Sequence, residues 1–142
     1  MDAVPTGCRA LDELLGGGVE TGCLTLLYGE AGSGKTNIAL QVARNVAREG
    51  MRVVYIDTEG VSLERLRQMC GDDFQTVVER ILFAEPYSNE EQEKLIERAV
   101  KMFGLGKRYR YAVACLTYQA LTGSEDFEAA ARPATWLELY HL

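Results

Sequence analysis

The chain has 142 residues, of which 47% are hydrophobic and 25% charged, and a formal net charge of −6. That balance excludes collagen-like, low-complexity and disordered classes, and the length predicts one domain over residues 1–142 that buries roughly 68–70% of its unfolded surface. The negative charge excludes a diffuse positive field as a source of nucleic-acid binding, so any DNA contact must be local.

The first clear element is the apolar run Cys23-Leu24-Thr25-Leu26-Leu27-Tyr28, bounded by Gly22 and Gly29, which predicts a strand buried on both faces. Ile38, Ala39, Val42, Ala43, Val46 and Ala47 then recur at helical spacing until Gly50 ends the pattern. Val53-Val54-Tyr55-Ile56 is a second, β-branched strand, and Ser62 can cap a helix running to about Cys70. A third strand, Ile81-Leu82-Phe83, is closed by Pro86. Ser88-Asn89-Glu90-Glu91 has capping-box form before an apolar stripe of Leu95, Ile96, Ala99, Val100 and Phe103. A fourth strand is expected around Tyr111–Leu116, then helical material from Ser124 interrupted by Pro133. Thr135-Trp136-Leu137-Glu138 has the form of a fresh helix start, so the sequence reads as stopping in mid-element. Strands alternating with helices predict an α/β fold with a parallel sheet flanked by helices.

Cys8, Cys23, Cys70 and Cys115 stand far apart with no CxxC pair, and the one histidine is His141. This spacing does not suit zinc. With no signal peptide or long apolar run, the cysteines are expected to be buried, reduced thiols of a cytoplasmic protein without a membrane span. The basic cluster Lys107-Arg108-Tyr109-Arg110 has two readings, a contact with a phosphate backbone or base and a solvated loop before a strand.

Chemistry concentrates in Gly29-Glu30-Ala31-Gly32-Ser33-Gly34-Lys35-Thr36, which fits G-x-x-x-x-G-K-[ST] after an apolar strand and at the start of a helix. Glycines let the backbone curl into a nest of N–H groups around the β- and γ-phosphates of a nucleotide, and the helix N-terminus adds partial positive charge. Lys35 is expected to pair with those phosphates and the Thr36 hydroxyl to ligate Mg²⁺. The competing reading is a chance glycine-rich loop with Lys35 as a solvated cation; the flanking strand and helix argue against it. Hydrolysis requires a group that orients water and takes its proton. Glu59 follows the second strand at the carboxyl end, where parallel-sheet sites form and where the glycine-rich loop also opens. By position alone a surface or capping role for Glu59 stays open.

Pro5-Thr6-Gly7-Cys8-Arg9-Ala10-Leu11-Asp12-Glu13-Leu14-Leu15-Gly16-Gly17-Gly18, the P-loop, Tyr55-Ile56-Asp57-Thr58-Glu59-Gly60 and Leu63-Glu64-Arg65-Leu66 together resemble the archaeal RadA/RadB branch of the RecA recombinases. The chain opens directly at the core, and Asn89-Glu90-Glu91-Gln92 resembles the acidic segment of the RadB side of that branch. The resemblance implies a RecA-like P-loop NTPase fold, binding of ATP and Mg²⁺, a role in homologous recombination or DNA repair, and Glu59 as catalytic base. It also implies DNA and a RadA-type recombinase, or another protein that completes the sheet, as partners. Continuous similarity covers about residues 4–103, with a looser echo in Tyr111–Leu121. Within that echo, aligning Thr117 puts Ala114 where the family has the Mg²⁺-holding aspartate and Cys115 where it has serine. Hydrolysis is therefore expected to be impaired while nucleotide binding persists.

The family's later strands are not represented, so the sheet is expected to be incomplete at its C-terminal end. The P-loop strand at Leu24–Tyr28 is expected to lose both hydrogen-bonding neighbours. Unpaired buried backbone costs about 1–3 kcal/mol per lost partner. The alternatives are rearranged strands, neighbours supplied by a partner, or a fragment. Three readings of the whole chain follow: a weak ATPase of recombination, a nucleotide-responsive interaction module, and a remnant without function.

Overall fold

The computed structural model describes residues 3–104, 111–116 and 135–140. The polypeptide begins with a two-residue strand β1 (Ala3–Val4), paired antiparallel with β2 (Val19–Glu20), and helix α1 (Arg9–Leu14) lies between them. This N-terminal segment is tied to the rest by Asn45, whose Nδ2 donates to the Pro5 carbonyl at 2.7 Å. Inside it, Asp12 accepts from the Thr6 backbone N–H and hydroxyl, both at 2.7 Å, and from the Gly7 N–H at 3.3 Å. Thr6 is fully buried, and its polar groups are thereby satisfied.

Strand β3 (Cys23–Leu27) leads through the glycine-rich loop into helix α2 (Lys35–Arg48). There follow β4 (Arg52–Asp57), α3 (Leu63–Cys70), a 3₁₀ turn at Gly71–Asp73, α4 (Phe74–Val78), β5 (Ile81–Ala84), α5 (Asn89–Gly104), β6 (Tyr111–Leu116) and β7 (Thr135–Tyr140). The five-stranded sheet has the order β3-β7-β6-β4-β5. The pairs β4–β5 and β4–β6 are parallel, as the strand–helix alternation predicts.

Strand β4 shows why the helices divide between two faces. Its residues 53–57 are all buried, and successive side chains point to opposite sides. Val53 and Tyr55 join the larger core with Ala39, Leu40, Val42, Ala43, Val46 and Ala47 of α2, Leu66 and Cys70 of α3 and Val77 of α4. Val54 and Ile56 pack instead with Ala99, Leu95 and Ile96 of α5. The helical periodicities over 38–47 and 95–99 thus bury the faces they predict.

The helix starts also follow the sequence. Ser62 caps α3 by accepting from the Arg65 N–H at 3.3 Å. Ser88 accepts from the Glu91 N–H at 3.2 Å, but the Glu91 carboxylate reaches past the cap residue to the Tyr87 N–H at 2.9 Å. At the far end of α2, Arg44 donates to the Met69 carbonyl at 2.7 Å and Arg48 to the Cys70 carbonyl at 3.2 Å. These cations cover the carboxyl end of α3, the pole its dipole makes negative.

Five expectations are corrected. Strand β3 is not buried on both faces: it lies at the edge of the sheet, Thr25 and Leu27 are half-buried and Leu26 is 43% exposed. Thr135-Trp136-Leu137-Glu138 begins a strand, not a helix: β7 pairs antiparallel with β3 on one side and β6 on the other, and two backbone ladders outweigh a local capping pattern. The sheet is accordingly mixed rather than wholly parallel. The strand before the P-loop also does not lose both neighbours, since Cys23 to Leu27 pair rung by rung with Leu139 to Thr135. The thiols differ from expectation as well: Cys70 is buried, and burial pushes its pKa up, but Cys8 is exposed beside α1. The helix expected from Ser124 and the basic cluster Lys107–Arg110 lie outside the described residues. Among the described residues no helix is long and apolar enough to cross a membrane.

Candidate functional site

The glycine-rich loop joins the carboxyl end of β3 to the amino end of α2, with residues 29–33 exposed and residues 34–36 half-buried. Gly34 forms the helix boundary at φ 93°, a left-handed conformation that a residue with a Cβ rarely adopts. No side chain caps the helix there, and the first turn carries no acid. The free N–H groups and the positive pole of a 14-residue helix therefore face the loop without a competing internal anion. Glu30 and Ser33 close the loop through Ser33 N–H to Glu30 carbonyl at 3.2 Å. Lys35 folds back over it, its Nζ donating to the carbonyls of Gly29 and Glu30 at 2.9 Å each. Both bonds are exposed to solvent. Ala31 and Gly32 complete the exposed rim.

Glu59 lies just beyond β4, in the turn 58–61 that leads to α3. Partial burial pushes its carboxyl above the ordinary range; the Lys35 ammonium pulls the other way, and the Asp57 carboxylate adds to the upward push. The Lys35 ammonium is thus among the charges that act on Glu59, two residues singled out separately in the sequence. Glu59 is exposed to solvent, and a carboxylate of raised proton affinity is chemically suited to take a proton from water.

Sequence reasoning missed three contributors. Asp57 is buried, and its carboxylate accepts from the N–H groups of Glu59, Gly60 and Val61. Arg65 Nε donates to Asn37 Oδ1 at 3.2 Å, which links the start of α3 to the first turn of α2. The signal for Asp57 was present: an aspartate at a strand end followed by Thr-Glu-Gly is a side chain able to hold its own turn. Nothing in the spacing pairs Asn37 with Arg65.

Mg²⁺ fits this site in a restricted sense. Thr36 is the second residue of α2 and half-buried, and among the described residues no group of three His, Cys, Asp or Glu side chains is placed to hold a metal. One hydroxyl suits an ion that keeps several waters and is carried mainly by substrate phosphates. Ala114 pairs with Tyr55 in the β4–β6 ladder, two rungs before the Asp57–Leu116 rung, and offers no oxygen beyond its backbone.

Residues 2–121 match the Rad51 family. Among curated proteins, the chain is similar to the DNA repair and recombination protein RadB of Methanococcoides burtonii, at 44% identity over 97 residues, which is 68% of this chain and 43% of that protein. RadB of Archaeoglobus fulgidus is 43% identical over 123 residues, 87% of this chain and 54% of its own. RadB of Methanosphaera stadtmanae is 49% identical over 90 residues, 63% and 38% respectively. The chain thus spans about half the length of the curated relatives it matches or less. With an α/β core, a glycine-rich loop leading into α2 and the family match across most of its length, the chain belongs to the Rad51 family, on its RadB-like side.

Proposed function

We propose that this chain binds ATP with Mg²⁺ and serves DNA repair and homologous recombination as a weak ATPase. The observation that carries the reading is the uncapped amino end of α2, opened by Gly34 and overhung by Lys35. In this reading the backbone of Gly29, Glu30, Ala31, Gly32, Ser33 and Gly34 cradles the β- and γ-phosphates, and Lys35 exchanges its two loop carbonyls for phosphate oxygens. Thr36 holds Mg²⁺, which when bound neutralises charge on the phosphates. Glu59 orients a water and takes its proton as the water oxygen bonds to the γ-phosphorus and the bond to the β-phosphate oxygen breaks. Turnover is slow because Ala114 supplies no carboxylate to position the metal. DNA and a RadA-type recombinase are the partners the family points to.

Mg²⁺-dependent binding of fluorescent ATP to the purified chain and to Lys35→Ala, with circular dichroism on both, tests the reading. Saturable binding by a folded chain that Lys35→Ala weakens supports it. A folded chain that binds no nucleotide overturns it.

Ala114 favours a second reading, a nucleotide-responsive module that acts by docking to another protein. Ala114→Asp separates the two. Turnover in the parent chain supports the ATPase, whereas nucleotide binding without turnover in either chain favours the module.

A further inference from the structure

Strand β4 ends on a buried acid. Asp57 is 3% exposed and, among the described residues, is the one charged side chain in the buried class. A carboxylate in that position is costly unless its oxygens are hydrogen-bonded. Here they are: Oδ1 accepts from Glu59 N–H and from Gly60 N–H, both at 3.0 Å, and Oδ2 accepts from Val61 N–H. Three successive backbone donors of the turn therefore converge on one side chain. The side chain belongs to a rigid element, since β4 is paired along its length with β6 and over Val53 to Ile56 with β5.

We propose that Asp57 is the positioning residue of this site: its buried carboxylate fixes the backbone of the 58–61 turn so that Glu59 is presented to the nucleotide at the mouth of the glycine-rich loop. The inference rests on the reading of Glu59 as base. The turn has no strand ladder or helix of its own, and its next fixed points lie further on. These are the Ser62 cap of α3 and the Arg65–Asn37 hydrogen bond to the first turn of α2. Between these and Asp57 the segment is bracketed at both ends, and the backbone N–H of Glu59 itself is held by the strand-end carboxylate. Displacement of a base by about 1 Å can cost about a hundredfold in rate without affecting binding elsewhere in the site. Asp57 is not itself in contact with the nucleotide. It acts through Glu59.

The test compares the parent chain with Asp57→Asn, Gly60→Ala, Glu59→Gln and the double variant Asp57→Asn/Glu59→Gln. It reads the Kd for fluorescent ATP, folding by circular dichroism, and single-turnover hydrolysis of radiolabelled ATP with protein in excess. Asn retains an oxygen for Glu59 and Gly60 but offers Val61 an amide that cannot accept. Gly60 has φ +87° with open space where a Cβ would stand, so Gly60→Ala disturbs the turn and leaves the buried acid intact. The expected result is a fall in turnover of about tenfold or more for Asp57→Asn and for Gly60→Ala at unchanged Kd, with no further loss when Asp57→Asn is added to Glu59→Gln. If Glu59→Gln lowers turnover while folded Asp57→Asn and Gly60→Ala do not, the positioning role is overturned and the base survives. An Asp57→Asn chain that fails to fold leaves the decision to Gly60→Ala alone. A parent chain without turnover, or one whose turnover Glu59→Gln leaves unchanged, overturns the reading of Glu59 and the positioning role with it.

Discussion

Different forces hold the glycine-rich loop and the Glu59 turn. The loop takes its shape from backbone conformation, through the left-handed Gly34 and the Lys35 ammonium that gathers the carbonyls of Gly29 and Glu30. The Glu59 turn takes its shape from a single buried side chain, Asp57, to which three backbone N–H groups are hydrogen-bonded. The first arrangement leaves donors exposed toward an incoming anion, and the second uses its donors up internally. A phosphate nest must keep its N–H groups available, whereas a segment that presents one carboxylate gains from having its backbone satisfied and fixed.

The comparison can be broken at either end. The largest effect is expected from Glu59→Gln, which removes the proton acceptor and leaves the nest alone. Turnover should fall about 100- to 10,000-fold while the Kd for fluorescent ATP stays constant. Parallel turnover and binding measurements check this, and a joint loss would mean that the two regions are not separable. Lys35→Ala acts on the other side. Loss of a charge-assisted contact of about 2–3 kcal/mol corresponds to roughly 30- to 140-fold weaker nucleotide binding, read by fluorescence titration.

Gly34→Ala probes the backbone basis of the loop. Forcing a Cβ into φ 93° should cost about 1–2 kcal/mol, seen as a lower midpoint in urea unfolding with an unchanged slope. Nucleotide binding should weaken with it. An unaltered midpoint would show that the loop tolerates a different helix start.

The pH dependence gives two smaller effects of opposite sign. Hydrogen bonds from the Thr6 hydroxyl and N–H, with a further one from Gly7, hold the Asp12 carboxyl below its ordinary 3.8. The stability it contributes is present above the unfolded value and is lost as pH falls through the folded one. Asp12→Asn should therefore flatten the acid limb of thermal unfolding below pH about 4. Glu59, raised above its ordinary 4.5 chiefly by burial, destabilises the fold as pH climbs from the unfolded value through the folded one. Glu59→Gln should remove that decline, measurable as a small gain in Tm at pH 7 relative to pH 4. A loss of Tm at pH 7 would contradict the upward shift.

Legibility in the sequence follows the range of the interaction. The P-loop strand, the α2 stripe, the β-branched run 53–56, the Ser62 cap and the β6 segment were all readable, since each is specified by neighbours within a turn or a strand. Helix α1, helix α4 and the β1–β2 pair carried no pattern strong enough to read: they are of 6, 5 and 2 residues, too short for a period to repeat. Asp57 was legible in principle because its partners lie within four residues. Asn37–Arg65, 28 residues apart, was not.

By itself the sequence determined the α/β class, the phosphate-nest motif and the acid at the carboxyl end of β4, because each depends on local backbone preference and on hydrophobic periodicity. Only the tertiary structure decided the partner of β3. A segment with the capping pattern of a helix became the strand between β3 and β6, since pairing two open backbone edges outweighs the preferences of six residues. The same holds around the site: the sequence supplied Asn37 and Arg65 without relating them, and the packing of α2 and α3 against one face of the sheet brought them into a hydrogen bond.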